Sequence, residues 1–213
     1  MPTSDRDRRR SGITLLGTAL ILTALLVLSS PVSGLSAEYQ VLPNGSAYYG
    51  TVQVEKSTGY QFYETGVLGE RVPVKVSNIS LSGACQPCTF NASGDFAISY
   101  PPGNYTISYQ GPIQDSHLVA SYDNPYNVTV SLPQGLDVRN PFLGVISPGG
   151  EAQAVNNTSV TIQWTGVKSV EVRFYDQPRE SLLYLFGNFW LIIAFVLLTP
   201  YLLTMRRKKK DKI

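Results

Sequence analysis

The residues in this chain best placed to do chemistry are its only two cysteines, in the stretch Cys85-Gln86-Pro87-Cys88. Three kinds of chemistry fit that spacing. The first is a local disulfide, since both thiols would lie outside the cytoplasm and no third cysteine competes. Closing so short a loop restricts the unfolded chain little, by about 2 kcal/mol. The second is thiol redox exchange, but that needs the first cysteine at a helix N-terminus, where the dipole lowers its pKa. Here Ser82-Gly83-Ala84 precede and Thr89-Phe90-Asn91 follow, a strand–turn–strand pattern. The third is half of a zinc site, completed by a second chain or by distant groups.

Other chemical equipment is sparse. The single histidine, His117, sits in a strand-like stretch beside Leu118 and Val119 and reads as a packing or surface residue. There is no Gly-rich phosphate loop, paired-histidine motif or Gly-X-Ser-X-Gly elbow. The expectation is a non-enzymatic protein with no catalytic residue, cofactor or metal.

Asparagines supply a second pattern. Seven of the nine between Glu38 and Asp176 stand in Asn-X-Ser/Thr: Asn44, Asn78, Asn91, Asn104, Asn127, Asn156 and Asn157. With Ser and Thr at roughly one residue in six, chance gives about one or two such triplets. Glycosylation needs an exposed, flexible backbone, and Asn91 and Asn104 fall in stretches that read as turns.

The elements that position these residues follow from charge and periodicity. Residues 38–178 hold eleven acids against six bases, a net charge of −5, whereas the 213-residue chain carries +2 overall. An acidic middle excludes a nucleic-acid partner, which would want a basic face. The N-terminus reads Arg6, Arg8, Arg9 and Arg10, then an apolar run from Ile13 to Leu28, then small residues and Pro31. That is a secretory signal, residues 1–37, with cleavage after Gly34 or Ala37. The alternative is an uncleaved signal anchor, because Ile13–Ser30 as a helix spans about 27 Å.

At the other end Leu182–Leu203 is free of charge and would run about 33 Å as a helix, enough to cross a bilayer. Tyr184, Phe186, Phe189 and Trp190 crowd its outer end, as aromatic belts do. Arg206, Arg207, Lys208, Lys209 and Lys210 follow. The positive-inside rule makes 181–204 a transmembrane helix, with Leu182, Trp190 and Leu203 in the anchor and 205–213 a cytoplasmic tail. Membrane lipid is thus one partner. Asn188, within the span, offers a hydrogen bond of about 1 kcal/mol to a partner helix.

Between these segments the chain alternates apolar and polar residues in short runs: 72–76, 96–100, 105–109, 128–132, 160–164 and 170–174. Turn signals separate them at Pro101-Pro102-Gly103-Asn104, Asp123-Asn124-Pro125, Pro133-Gln134-Gly135 and Pro148-Gly149-Gly150. Half-buried antiparallel strands follow from this pattern, and their number predicts a β-sandwich or small barrel over 38–180. The fold class is mainly β: an antiparallel β-sandwich ectodomain between an N-terminal signal helix and one C-terminal transmembrane helix.

The stretch Gly94-Asp95-Phe96, followed by Pro101-Pro102-Gly103-Asn104-Tyr105, resembles the signature of prealbumin-like, carboxypeptidase-regulatory-like β-sandwiches. In those domains a Gly-X-Phe strand leads through Pro-X-Gly-X-Tyr into the next strand. The overall layout is similar to that of uncharacterised archaeal membrane-anchored surface proteins. In plan it is also similar to the β-sandwich accessory subunits of membrane-protein insertion complexes. The resemblance implies a binding or structural module without catalytic residues. Three functions follow as expectations: a cell-surface glycoprotein that is structural or binds a partner, an accessory subunit of a membrane complex, or an extracytoplasmic thiol-redox protein. In each the protein sits in the cell membrane, single-pass, with a protein partner met through the ectodomain or the transmembrane helix.

Overall fold

The computed structural model describes residues 34–66, 68–83, 85–155 and 159–210, the last nine as helix backbone. The signal run before Gly34 and the candidate acceptors Asn156 and Asn157 lie outside these residues. Within them the chain is mainly β, ending in one long helix.

Nine strands form one mixed sheet. Along its central path run β10 (Val145–Ile146), β12 (Ser159–Arg173), β8 (His117–Leu132), β1 (Leu35–Val41), β2 (Ala47–Gln61), β7 (Ala97–Pro112) and β5 (Ser77–Gly83). The short β11 (Glu151–Val155) adds to β12, and β6 (Asn91–Ala92) adds to β7. Two small ribbons pair β3 (Tyr63–Thr65) with β4 (Arg71–Pro73) and β9 (Leu136–Asp137) with β13 (Tyr175–Asp176). Helix α1 runs from Gln177 to Lys210, beyond both ends of the expected 181–204.

Two expectations are corrected. The sheet is not purely antiparallel, because β1 lies parallel to β8, with Ala37 opposite Val128 and Tyr39 opposite Val130. A parallel neighbour needs a long crossover, and the chain from β2 to β7 provides one. Second, two presumed turns do not reverse the chain. Pro101–Asn104 lies inside β7 and Asp123–Pro125 inside β8. Each marks a register shift, between Val54 and Gly59 of β2 and between Trp164 and Ser169 of β12. Proline cannot donate to the ladder, so the strand bulges there while its partner carries the pairing on. On β12 the irregularity contains Gly166, whose φ of +65° an L side chain rarely adopts.

One face of the sheet supplies the core. Ala37, Tyr39 and Val41 of β1, Val52 of β2, Ile107 of β7, Val128 and Val130 of β8 and Ile162 of β12 are buried. Their period of two is what a strand with one covered face requires. Tyrosine dominates between them. Tyr122 donates its hydroxyl proton to the Tyr39 hydroxyl (2.8 Å), and Tyr126 donates to the Gln53 carbonyl (2.7 Å). Edge-on ring pairs link Tyr39 with Tyr48 at 5.5 Å and Phe62 with Tyr109 at 4.7 Å. Gly50 and Gly111 make room for these rings: a Cβ at Gly50 would press on Tyr109 and Tyr39, one at Gly111 on Tyr48.

Trp164 is among the largest fully buried side chains. Its indole N–H donates to the Ser147 carbonyl (3.2 Å), and its ring lies where a side chain at Gly150 would stand. Trp164→Ala is expected to cost about 3–5 kcal/mol, a fall in Tm on the order of 10 °C. Thermal unfolding followed by far-ultraviolet circular dichroism checks it.

Candidate functional site

Cys85 and Cys88 are joined as a disulfide, Cα atoms 4.8 Å apart, in the connection between β5 and β6. Cys85 packs against the core's edge. The flanking elements are strands, so no helix dipole acts on either sulfur.

The candidate acceptors are scattered over the sheet and do not gather into one site. Asn44 is exposed in the β1–β2 turn, where its side-chain oxygen accepts the Ser46 N–H (3.2 Å). Asn91 and Asn104 are exposed but lie in β6 and β7, not in turns. The Asn104 side-chain oxygen accepts the backbone N–H of Lys56 (2.9 Å) and props the β2 bulge, where Lys56 has φ +49°. Asn78 is exposed in β5, and its amide nitrogen donates to Gln110 (2.8 Å). Asn127 is half-buried in β8 and accepts the Gly166 N–H (3.1 Å). Asn78, Asn104 and Asn127 thus hold bends and strand neighbours in place.

His117 pairs with Glu171 across β8 and β12 at 3.0 Å, on the surface. Among the described residues no group of three or more His, Cys, Asp or Glu side chains is placed to hold a metal.

A site that the sequence did not reveal lies where the bulges of β2, β7 and β8 meet. A cleft of about 660 Å³ opens there, with Tyr60, Tyr63, Tyr122 and Tyr126 among its walls. Glu55, Lys56, Gln61, Arg71, Asp123 and Asn124 also line it, so its two acids and two bases balance. Arg71 is ion-paired to Asp123 and lies over the Tyr63 ring, 4.5 Å from its centre. Tyr122 and Tyr126 stack with centroids 4.3 Å apart. Burial, with neighbouring Tyr100 and Asp123 adding, pushes the Tyr126 hydroxyl up to about 12. Burial and then the Asp123 charge raise Tyr63. These phenols stay protonated at neutral pH, so the cleft offers hydrogen bonds and ring surface without a net charge. That suits an uncharged polar ligand or a polar loop of a partner. The signal was hard to find: its residues come from β1, β2, β3, β4, β7 and β8 and share no motif.

The remaining candidate feature is α1. Leu182 and Trp190 are exposed, as is most of the apolar surface between Gln177 and Tyr201, a stretch long and apolar enough to cross a membrane. Its polar interruption is Asn188, beside Gly187. Thr199, before Pro200, donates its hydroxyl proton to the Phe195 carbonyl (2.6 Å), a local bond where proline breaks the helical ladder. The backbone stays helical through Arg206–Lys210; the side chains from Leu202 on, Leu203 and the five bases included, lie outside the described residues.

A family of unknown function, DUF5803, matches residues 90–212, more than half of the 213-residue chain. The matched stretch takes in β7, β8, β12 and α1. No curated protein matches the chain. The chain belongs to the DUF5803 family.

Proposed function

We propose that this member of the DUF5803 family is a non-enzymatic, single-pass membrane protein whose β domain faces outward and binds a partner. The observation that carries this is α1, an exposed apolar helix that ends in a run of bases. Under the positive-inside rule those bases stay in the cytoplasm, which leaves the acidic β domain, with its glycosylation triplets, outside. Export fits the start of β1 at Leu35: cleavage after Gly34 leaves that strand whole, whereas cleavage after Ala37 would remove a buried residue. The likeness to archaeal surface proteins and to prealbumin-like sandwiches belongs to this same proposal.

The partner meets the β domain at the Tyr63–Asp123 cleft, through hydrogen bonds and ring contacts. The test is affinity capture of the intact protein in mild detergent, wild type beside Asn124→Arg, which places an unpaired charge on the cleft wall. The expected result is a companion present with wild type and at least tenfold depleted with the variant, about 1.4 kcal/mol of lost binding. Equal recovery of every companion with both proteins would overturn the cleft assignment.

Asn188 favours a second reading, an accessory subunit of a membrane complex. An amide on a lipid-facing helix gains from a partner helix. Recovery as a lone chain, with Asn188→Leu harmless, would exclude it. Thiol redox chemistry is not favoured, since Cys85 lacks the helix dipole that would lower its pKa.

A further inference from the structure

Phe142 stands 85% exposed at the tip of the β9–β10 connection, Pro141-Phe142-Leu143. The connection that carries this exposed phenylalanine is held firmly. Burial alone would raise the Asp137 carboxyl, but the Arg139 guanidinium and two backbone N–H groups outweigh it and hold it below the usual carboxylate range. Those contacts are Arg139 Nη2 at 2.6 Å, Val138 N–H at 2.6 Å and Arg139 N–H at 2.9 Å. The Asn140 N–H donates to the Tyr175 hydroxyl (3.0 Å), and the Asn140 side-chain oxygen accepts the Phe142 N–H (3.0 Å). The Asn140 carbonyl accepts N–H groups from Leu143 and Gly144. A side chain at Gly144 would run into the backbone of Val138. The tip is built to keep one shape.

Its position is equally defined. Pro141 and Phe142 share a shallow groove with Leu183, Tyr184 and Gly187 of α1. Leu143 shares another with Leu182, Phe186 and Phe189. The last charged residues before the apolar span are Arg179 and Glu180. The helix residues beside the tip therefore lie past those charges, in the first turns of the span, where a bilayer has its outer headgroup–acyl boundary.

We propose that Pro141-Phe142-Leu143 is a second, interfacial membrane contact, which inserts Phe142 beside α1 and fixes how the β domain sits over the bilayer. The occupant of this apolar tip is lipid, since its surface is continuous with that of α1. The inference rests on α1 being a membrane span, and its test separates the two. Full-length protein is placed in phosphatidylcholine–phosphatidylglycerol nanodiscs with one nitroxide label, on Phe142→Cys, Phe195→Cys or Asn124→Cys, the native cysteines being paired. Collision with oxygen and with a water-soluble nickel chelate reports depth. The label at 195 is expected to be lipid-like, that at 124 water-like, and that at 142 intermediate. A water-like 142 with a lipid-like 195 overturns the second contact and leaves the span standing; a water-like 195 overturns the span and the contact with it. Because the label is itself apolar, a Leu143→Cys label is also compared with and without Phe142→Ser. Its shift toward water in the Phe142→Ser background is expected, and no shift overturns the role of Phe142.

Discussion

Raising the pH from 9 toward 12 is expected to unfold the β domain in one cooperative step. Burial raises the Tyr39 and Tyr109 hydroxyls well above 10, and nearby tyrosines raise them further. Burial is also the main cause that raises Tyr60 and Tyr122, and it pushes Tyr48 up to about 12. The sign follows from proton binding. Below pH 10 these groups are neutral in both states, and their burial is fully stabilising. Above pH 10 the unfolded chain releases protons that the folded chain retains, so stability falls as pH rises toward the folded values. Each such tyrosine removes about 1.4 kcal/mol per pH unit. Five together remove on the order of 7 kcal/mol per unit, comparable with the whole stability of a domain. Phenolate absorbance at 295 nm and loss of ellipticity should therefore rise together. Phenolate formation by the five buried tyrosines, over and above that of exposed ones such as Tyr49, with ellipticity retained to pH 12 would show that the core tyrosines ionise in place and that burial does not hold them.

The second large effect concerns α1. Leu191→Arg with Val196→Arg places two charges near the middle of its apolar stretch. Each costs about 2.5–3.5 kcal/mol at a span's centre, so the pair shifts membrane partitioning by about four powers of ten. Wild type is expected to stay with membranes through a high-salt wash and the double variant to move to the supernatant. Full retention of the double variant would mean that α1 is not what holds the chain.

The residues that were easiest to read are those whose signal is local. An uncharged run of more than twenty residues followed by bases defines α1 by itself, and alternation marks Val128–Leu132 and Val160–Trp164 as strands with one covered face. Connectivity was harder. Pro101–Asn104 and Asp123–Pro125 carry the composition of turns, yet they are bends within β7 and β8. The difference lies in whether a partner strand continues past them, which the local sequence does not encode. The parallel pairing of β1 with β8 was hidden for the same reason, since nothing near Leu35 records what lies beside it. The cleft was invisible because three bulges create it. The asparagine triplets were visible, but not that Asn104 and Asn127 brace the strands they sit on.

The place of β1 also bears on how the chain comes to be folded. It is the first strand to leave the ribosome among those described, yet it ends between β2 and β8. Its partner β2 follows within a few residues, whereas β8 is about ninety residues further along. Until that stretch has been synthesised, one edge of β1 is an open row of peptide groups, the kind of edge that recruits other chains. Closing a pair so distant in sequence is slow compared with zipping a hairpin. Completion of the sheet is thus timed by elongation, and a chain halted before His117 is left with its central strand half paired.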